Sequence, residues 1–179
     1  MATLTKSGYG QVEPNHLSAQ RTGQIYAQLP CASDIEALEN GTFVKYDYAS
    51  GEVNFSGPGE WMLVFNEVKL YDVRQYTADY RMTSGEAVNG EMVPRVFKTN
   101  PGDIFTTNQV VNGSGYVAGA LLVPNASGIL EIAATPTLGD MVWQVVDVTT
   151  LPDSKAAVKV MRLVDQVPVV NASGVVTNG

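Results

Sequence analysis

The longest apolar run in the sequence, Gly59 to Tyr71 (GEWMLVFNEVKLY), places the strongest constraint on the fold. Successive side chains of a β-strand point to opposite faces, so Trp61 and Leu63 share one face while Met62 and Val64 share the other. A strand that is apolar on both faces needs protein on both faces to exclude water. The run therefore predicts a central strand of a β domain, covered on both sides.

Shorter strand patterns follow at intervals of roughly ten residues, with Gly, Pro and Asn in the turns between them. Phe43 to Tyr48 and Glu52 to Phe55 indicate a hairpin around a Ser-Gly turn. A second hairpin closes at Leu151 to Lys155, between Met141 to Thr150 and Ala157 to Val164. About eight to ten such strands predict an all-β fold, either an antiparallel β-sandwich or a small β-barrel.

One stretch carries a helix start signal. Ser33 and Glu36 have the spacing of a capping box, in which each side chain hydrogen-bonds the backbone amide of the other residue. Asn40-Gly41 would end the helix after about one and a half turns. The sequence thus predicts one short helix here, and at most one or two in the chain.

The first thirty residues differ from the rest of the chain. They combine Gly, Pro and many polar residues with scattered apolar side chains, and neither a helical nor a strand period persists. An extended arm that becomes ordered on a partner surface would explain both properties. A loose terminus with one edge strand is the alternative. We predict an N-terminal arm at residues 1–30 and a single β-rich domain at residues 31–179, with a long surface excursion at Asp72 to Val93.

Charge narrows the range of partners. Charged residues make up 16% of the chain, the net charge is −7, and the eleven Lys and Arg residues are scattered. They cannot form the basic stripe that binds nucleic acid or an anionic membrane. No apolar run approaches the ~20 residues of a membrane span, and the N-terminus lacks an apolar signal core. The single cysteine, Cys31, is typical of a protein synthesised in a reducing cytoplasm.

Candidate catalytic residues are few. His16 and Cys31 are the only residues of their kinds, so a Cys–His nucleophile pair would have to be these two. They cannot supply the three or four ligands of a zinc site. Acidic residues are numerous, but no pair has the surroundings of a glycosidase acid and base. We therefore expect a non-enzymatic protein with no catalytic residues, no cofactor and no metal.

Aromatic residues are concentrated between Thr42 and Tyr80. Exposed together, they would form a platform for a sugar or protein ligand. Buried, they would be core residues and cross-strand pairs, which is the simpler interpretation.

Four stretches resemble the head decoration, or cement, proteins of tailed bacteriophages. They are the arm MATLTKSGYGQVEPNHLSAQRTGQIYAQLP, the hairpin ENGTFVKYDYASGEVNF, the strand entry PGDIFTTNQV and the closing hairpin TLGDMVWQVVDVTTLPDSKAAVKVMRLV. The resemblance implies a virion structural protein on the outer capsid surface, synthesised in the host cytoplasm, that bridges capsomers and stabilises the shell. Its partners would be the major capsid protein and further copies of itself, with a trimer favoured.

In that family an N-terminal arm adds to the edge of a capsid-protein sheet through main-chain hydrogen bonds. The residues that would make the contacts are the apolar Tyr9, Val12, Leu17, Ile25 and Tyr26 and the basic Arg21. Three alternatives stay open at this point. They are a carbohydrate- or receptor-binding β module of a head fibre or tail, a head–tail connector or tail subunit, and a small β-fold enzyme.

Overall fold

The computed structural model describes residues 2–13, 29–66, 81–83, 92–137, 139–164, 168–170 and 176–178. These residues form sixteen strands and no helix, and every pairing between named strands is antiparallel, which confirms the predicted all-β class. In chain order the strands are β1 (Ala2–Leu4), β2 (Val12–Glu13), β3 (Ala37–Glu39), β4 (Phe43–Asp47), β5 (Glu52–Asn54), β6 (Trp61–Val64), β7 (Arg81–Thr83), β8 (Val96–Phe97), β9 (Ile104–Thr107), β10 (Gly113–Tyr116), β11 (Leu121–Pro124), β12 (Leu130–Ile132), β13 (Trp143–Thr150), β14 (Ala156–Arg162), β15 (Pro168–Val170) and β16 (Val176–Asn178).

Two sheets make up most of the domain. One has six strands in the order β12-β11-β13-β14-β9-β2, and the other has four in the order β5-β4-β6-β8. Three further pairs, β1-β10, β3-β7 and β15-β16, are two-stranded. The two larger sheets pack face to face as a β-sandwich, because side chains from both contribute to one buried cluster.

This shared cluster, the sandwich core, is centred on three aromatic rings. Phe43 comes from the four-stranded sheet, whereas Phe105 and Trp143 come from the six-stranded sheet. The Phe105 and Trp143 ring centroids lie 4.9 Å apart in an edge-to-face arrangement, and those of Phe43 and Trp143 lie 5.7 Å apart. Aromatic pairs in these geometries stabilise a core beyond the area that they bury. They join the two sheets at their centre.

Strand β6 is covered on both faces, as its sequence predicts. Trp61 and Leu63 contact the sandwich core, whereas Met62 and Val64 belong to a second buried cluster on the opposite face of the four-stranded sheet. We call this second cluster the outer cluster. Its buried members are Ile35, Leu38, Val44, Tyr46, Val53, Met62, Val64, Met92 and Val96.

Both predicted hairpins are present. Strands β4 and β5 pair through Lys45↔Asn54 and Asp47↔Glu52, and β13 pairs with β14 along almost its whole length. The turn of the second hairpin is closed by the Leu151 N–H, which donates to the Lys155 carbonyl at 2.8 Å. Turn residues and the alternation of apolar and polar side chains were sufficient to predict both hairpins, because the two strands of a hairpin are adjacent in the sequence.

The short helix predicted at Ser33 to Asn40 is wrong. A turn at residues 33–34 leads instead into β3, which pairs with β7. Leu38, at the centre of β3, is buried in the outer cluster. A capping box satisfies only local amides, so strand pairing and the burial of Leu38 outweigh it.

Residues 2–13 belong to the β domain of their own chain. Strand β1 pairs with β10, β2 pairs with β9, and Leu4 is buried in the sandwich core. Residues 14–28 lie outside the described residues, as does most of the excursion at Asp72 to Val93. The boundary between an arm and a domain at residue 30 therefore stays a prediction.

Candidate functional site

The six predicted arm residues are divided by the limits of the described chain. Val12 lies on β2 and packs against the sandwich core, and Tyr9 precedes it with 37% of its surface exposed. The other four, Leu17, Arg21, Ile25 and Tyr26, lie outside the described residues. The structure therefore places two of the six on the chain's own domain.

A buried polar network attaches the segment around Tyr9 to the domain. The Gln11 N–H donates to Asn108 Oδ1 at 2.7 Å, and Asn108 Nδ2 donates to the Tyr9 carbonyl at 3.1 Å. The Thr107 hydroxyl donates to the Gln11 carbonyl at 2.6 Å. A buried polar group that loses its hydrogen bond costs free energy. Moving residues 9–11 away from the domain would break these three hydrogen bonds, so the bonds favour the observed position. The network holds the start of the chain in place.

A groove on the outer-cluster side of the four-stranded sheet is the second candidate site. It has a volume of about 220 Å³ and is lined by Tyr46, Tyr48, Gly59, Glu60, Met62 and Lys98. The Tyr48 side chain is 65% exposed, and its ring stacks on that of Tyr46 with centroids 5.8 Å apart and planes inclined by 24°. Two other lining residues, Lys98 and Glu60, form an ion pair with Nζ 2.9 Å from Oε1.

Strand geometry and one glycine build this groove. Tyr46 and Tyr48 are two residues apart on the same face, so their rings are adjacent. Tyr46 lies in β4 and is buried, whereas Tyr48 follows the strand into solvent. The Gly59 N–H donates to the Tyr46 carbonyl at 3.2 Å, and a Cβ on Gly59 would lie 2.8 Å from that oxygen. Only glycine allows the preceding loop to approach β4 this closely.

The aromatic residues between Thr42 and Tyr80 do not form one platform. Phe43 is a core residue, and Phe65 pairs with Phe97 at 6.1 Å, as the simpler interpretation predicts. Only Tyr48 presents a largely exposed ring among the aromatic residues that the structure describes in this stretch. Sequence reasoning missed Glu60 and Lys98, because their proximity depends on the pairing of β6 with β8, which are distant in sequence.

Cys31 does not have the environment of a nucleophile. Burial, with a smaller contribution from the nearby Glu52 carboxylate, raises the pKa of its thiol to about 12. The thiolate is the reactive form, so Cys31 stays protonated and inert at neutral pH. Its proposed partner His16 lies outside the described residues.

Metal-binding clusters and membrane-spanning helices concern the part of the chain that the structure describes. No group of three or more His, Cys, Asp or Glu side chains there is placed to hold a metal ion. That part also contains no helix with the length and apolar character of a membrane span.

Comparison with protein-family models, with curated proteins and with solved structures gave no match to this chain.

Proposed function

We propose that the protein is a non-enzymatic structural component of a phage virion, which decorates and stabilises the capsid by bridging capsomers. The observation that carries this proposal is the position of the residues on either side of 14–28. Glu13 ends β2 on the six-stranded sheet, whereas Leu29 packs against the outer cluster beside the four-stranded sheet. The two described residues that flank 14–28, Glu13 and Leu29, thus lie on opposite layers of the sandwich.

Main-chain hydrogen bonds secure both of these attachment points. On one side, Val12 pairs with Thr107 in the β2–β9 ladder. On the other, the Cys31 N–H donates to the Met92 carbonyl at 2.8 Å, and the Val53 N–H donates to the Pro30 carbonyl at 2.8 Å. A capsid partner that binds residues 14–28 would transmit force to both sheets. That property suits a protein whose task is mechanical.

The structure also indicates which variant can test the proposal. Deleting residues 1–28 would remove β1, β2 and the core residue Leu4, so a loss of capsid binding could follow from unfolding alone. Substitutions within 14–28 leave these parts unchanged.

We expect the combined change of Leu17, Ile25 and Tyr26 to serine to weaken binding to expanded phage heads that lack the protein by about 100-fold. Loss of two or three apolar anchors costs about 3 kcal/mol at an interface. Co-sedimentation measures the affinity and the copy number per capsid subunit, and light scattering measures the oligomeric state. The matched control is Val164→Ser, since Val164 is an exposed apolar residue of the domain. Undiminished binding of the triple variant, or no saturable binding of the wild type, would contradict the proposal.

The groove at Tyr48 favours a second candidate function, a carbohydrate-binding module of a head fibre or tail. The face of an aromatic ring is negative and attracts the polarised C–H bonds of a sugar ring. Glu60 and Lys98 would supply an acceptor and a donor for hydroxyl groups, and about 220 Å³ suits a single sugar unit.

For this second function, we expect Tyr48→Ala to lower the affinity for any glycan identified on a glycan array by at least about tenfold, because the stacking surface is lost. Calorimetric titration of that glycan measures the change. Tyr9→Ala is the control, since Tyr9 is an exposed tyrosine outside the groove. An array without a sugar ligand, or an equal loss with both variants, argues against the groove as a sugar site.

A further inference from the structure

Three side chains that are distant in sequence meet where the N-terminal segment crosses the domain. Lys6 follows β1, Glu39 ends β3, and Gln109 lies between β9 and β10. Lys6 Nζ is 2.5 Å from Glu39 Oε2 and 2.9 Å from Gln109 Oε1. An amine, a carboxylate and a primary carboxamide are thereby in direct contact.

Further hydrogen bonds hold the carboxylate, the carboxamide and the backbone of Lys6. The Gly10 N–H donates to Glu39 Oε2 at 2.6 Å, and Gln109 Nε2 donates to Thr42 Oγ1 at 3.1 Å. The Lys6 N–H donates to the Asn112 side chain at 2.8 Å. The carboxamide is therefore fixed at both ends, with its oxygen towards the amine and its nitrogen towards a hydroxyl.

The cluster is also largely shielded from water. The side chains of Lys6 and Glu39 are 24% and 19% exposed, and Gln109 and Thr42 are both buried. Exclusion of water favours attack by the amine over hydrolysis of the amide, and it strengthens the interaction between the charged groups. An ion pair alone accounts for Lys6 and Glu39. It does not account for a buried carboxamide in contact with the same amine.

We propose that Lys6 and Gln109 form an intramolecular isopeptide bond, with Glu39 as the general base. A lysine amine is a nucleophile once an adjacent base has taken its proton, and a base at 2.5 Å is within hydrogen-bond reach. Glu39 accepts a proton from the Lys6 ammonium, and the neutral Nζ attacks Cδ of Gln109. The Nζ–Cδ bond forms and the Cδ–Nε2 bond breaks.

The reaction balances without any further reagent. Of the ammonium protons, one stays on the new amide nitrogen and the others are transferred to Nε2, which leaves as ammonium. Glu39 returns to its carboxylate form, and the Thr42 hydroxyl beside Nε2 offers a path for the proton that the leaving group needs. The atoms and the charge are the same on both sides.

The product would join the N-terminal segment covalently to the chain beyond β9. Such a link joins positions that are 103 apart in the sequence, and it prevents β1 from separating from the domain. This inference does not depend on the proposed function. It concerns only the chemistry within one chain.

Intact-mass spectrometry of the denatured full-length protein tests the proposal directly. We expect a species about 17 Da lighter than the sequence mass, corresponding to one ammonia, and it should accumulate when folded protein is incubated at mildly alkaline pH. Tryptic digestion should then give a linked peptide that contains both Lys6 and Gln109. A folded wild-type protein that keeps its full mass overturns the proposal.

Two controls separate the isopeptide bond from other losses of ammonia, such as cyclisation at Asn112-Gly113. Lys6→Arg keeps the positive charge but removes the nucleophile, so its mass should stay unchanged, while Glu39→Gln should react at least about 100-fold more slowly. The second control uses no variant. Wild-type protein held unfolded in denaturant should give no peptide that links Lys6 to Gln109, because the three groups are then apart. A linked peptide that forms in denaturant, or a folded Lys6→Arg variant that loses ammonia as fast as the wild type, refutes the assignment.

Discussion

Replacement of Gly128 by alanine is expected to destabilise the protein by more than about 3 kcal/mol, or to prevent folding. Gly128 has a φ of 70°, a region that side chains disfavour, and a Cβ there would overlap the carbonyl oxygen of Phe43. The Gly128 carbonyl also accepts the Phe43 N–H at 2.7 Å, so the turn between β11 and β12 is bonded to β4. Backbone strain and overpacking each cost about 1–3 kcal/mol.

Gly51→Ala is the matched control for this prediction. Gly51 has a similar φ of 74°, but a Cβ there would meet no atom within 4 Å. Gly51→Ala therefore introduces backbone strain without a steric overlap, and it should lower the free energy of unfolding by about 1–2 kcal/mol. Chemical denaturation followed by circular dichroism measures both values. Equal losses in the two variants would show that the contact between Gly128 and Phe43 does not contribute.

Trp143→Ala is expected to destabilise the protein by about 3–5 kcal/mol, the usual range for removing a large aromatic side chain from a core. Trp143 is fully buried and contacts Phe43 and Phe105, which belong to opposite sheets. Its removal would leave a cavity at the centre of the sandwich. The sheets cannot close this cavity without disturbing their strand pairing.

Trp61→Ala is the control, since Trp61 is the other tryptophan in the sequence. It is only partly buried at the edge of the sandwich core, and Lys45 Nζ lies 4.5 Å from the centroid of its ring. We expect a loss of about 1–2 kcal/mol, mostly from burial and the cation–π contact. Urea denaturation of both variants tests the difference. A loss for Trp61→Ala as large as that for Trp143→Ala would contradict the central role of Trp143.

Features that depend on near neighbours in the chain were predictable from the sequence. The alternation in WMLV correctly predicts that β6 is covered on both faces, because side-chain direction alternates in any strand. The hairpins at β4–β5 and β13–β14 follow from turn residues between two alternating runs.

The helix predicted at Ser33 to Asn40, which the structure replaces with a turn and strand β3, shows where local sequence signals fail. Its capping box satisfies local amides, but the strand pairing that replaces it involves β7, whose residues are about forty positions away. Strand β7, whose pairing with β3 replaces the helix, therefore cannot be identified from the residues near Ser33 alone.

The candidate sites, more than the strands and hairpins, are formed by residues that are distant in the sequence. Tyr48 was part of the aromatic stretch noted in the sequence, but Lys98, which also lines its groove, was not. Two of the predicted arm residues, Tyr9 and Val12, lie in the region attached to the domain by contacts such as the Gln11–Asn108 hydrogen bond, across 97 residues.

The amino-acid sequence alone was enough to determine an all-β, antiparallel chain of low charge. The charge follows directly from the composition, and the strands follow from turn residues and from the alternation of apolar and polar side chains, which act over a few residues. Only the tertiary structure decided which strands became neighbours, that residues 2–13 belong to the domain, and that Lys6, Glu39 and Gln109 meet. The reason is physical. Pairing of distant segments depends on the burial and hydrogen bonds gained by the whole fold, which exceed any preference of the segments themselves.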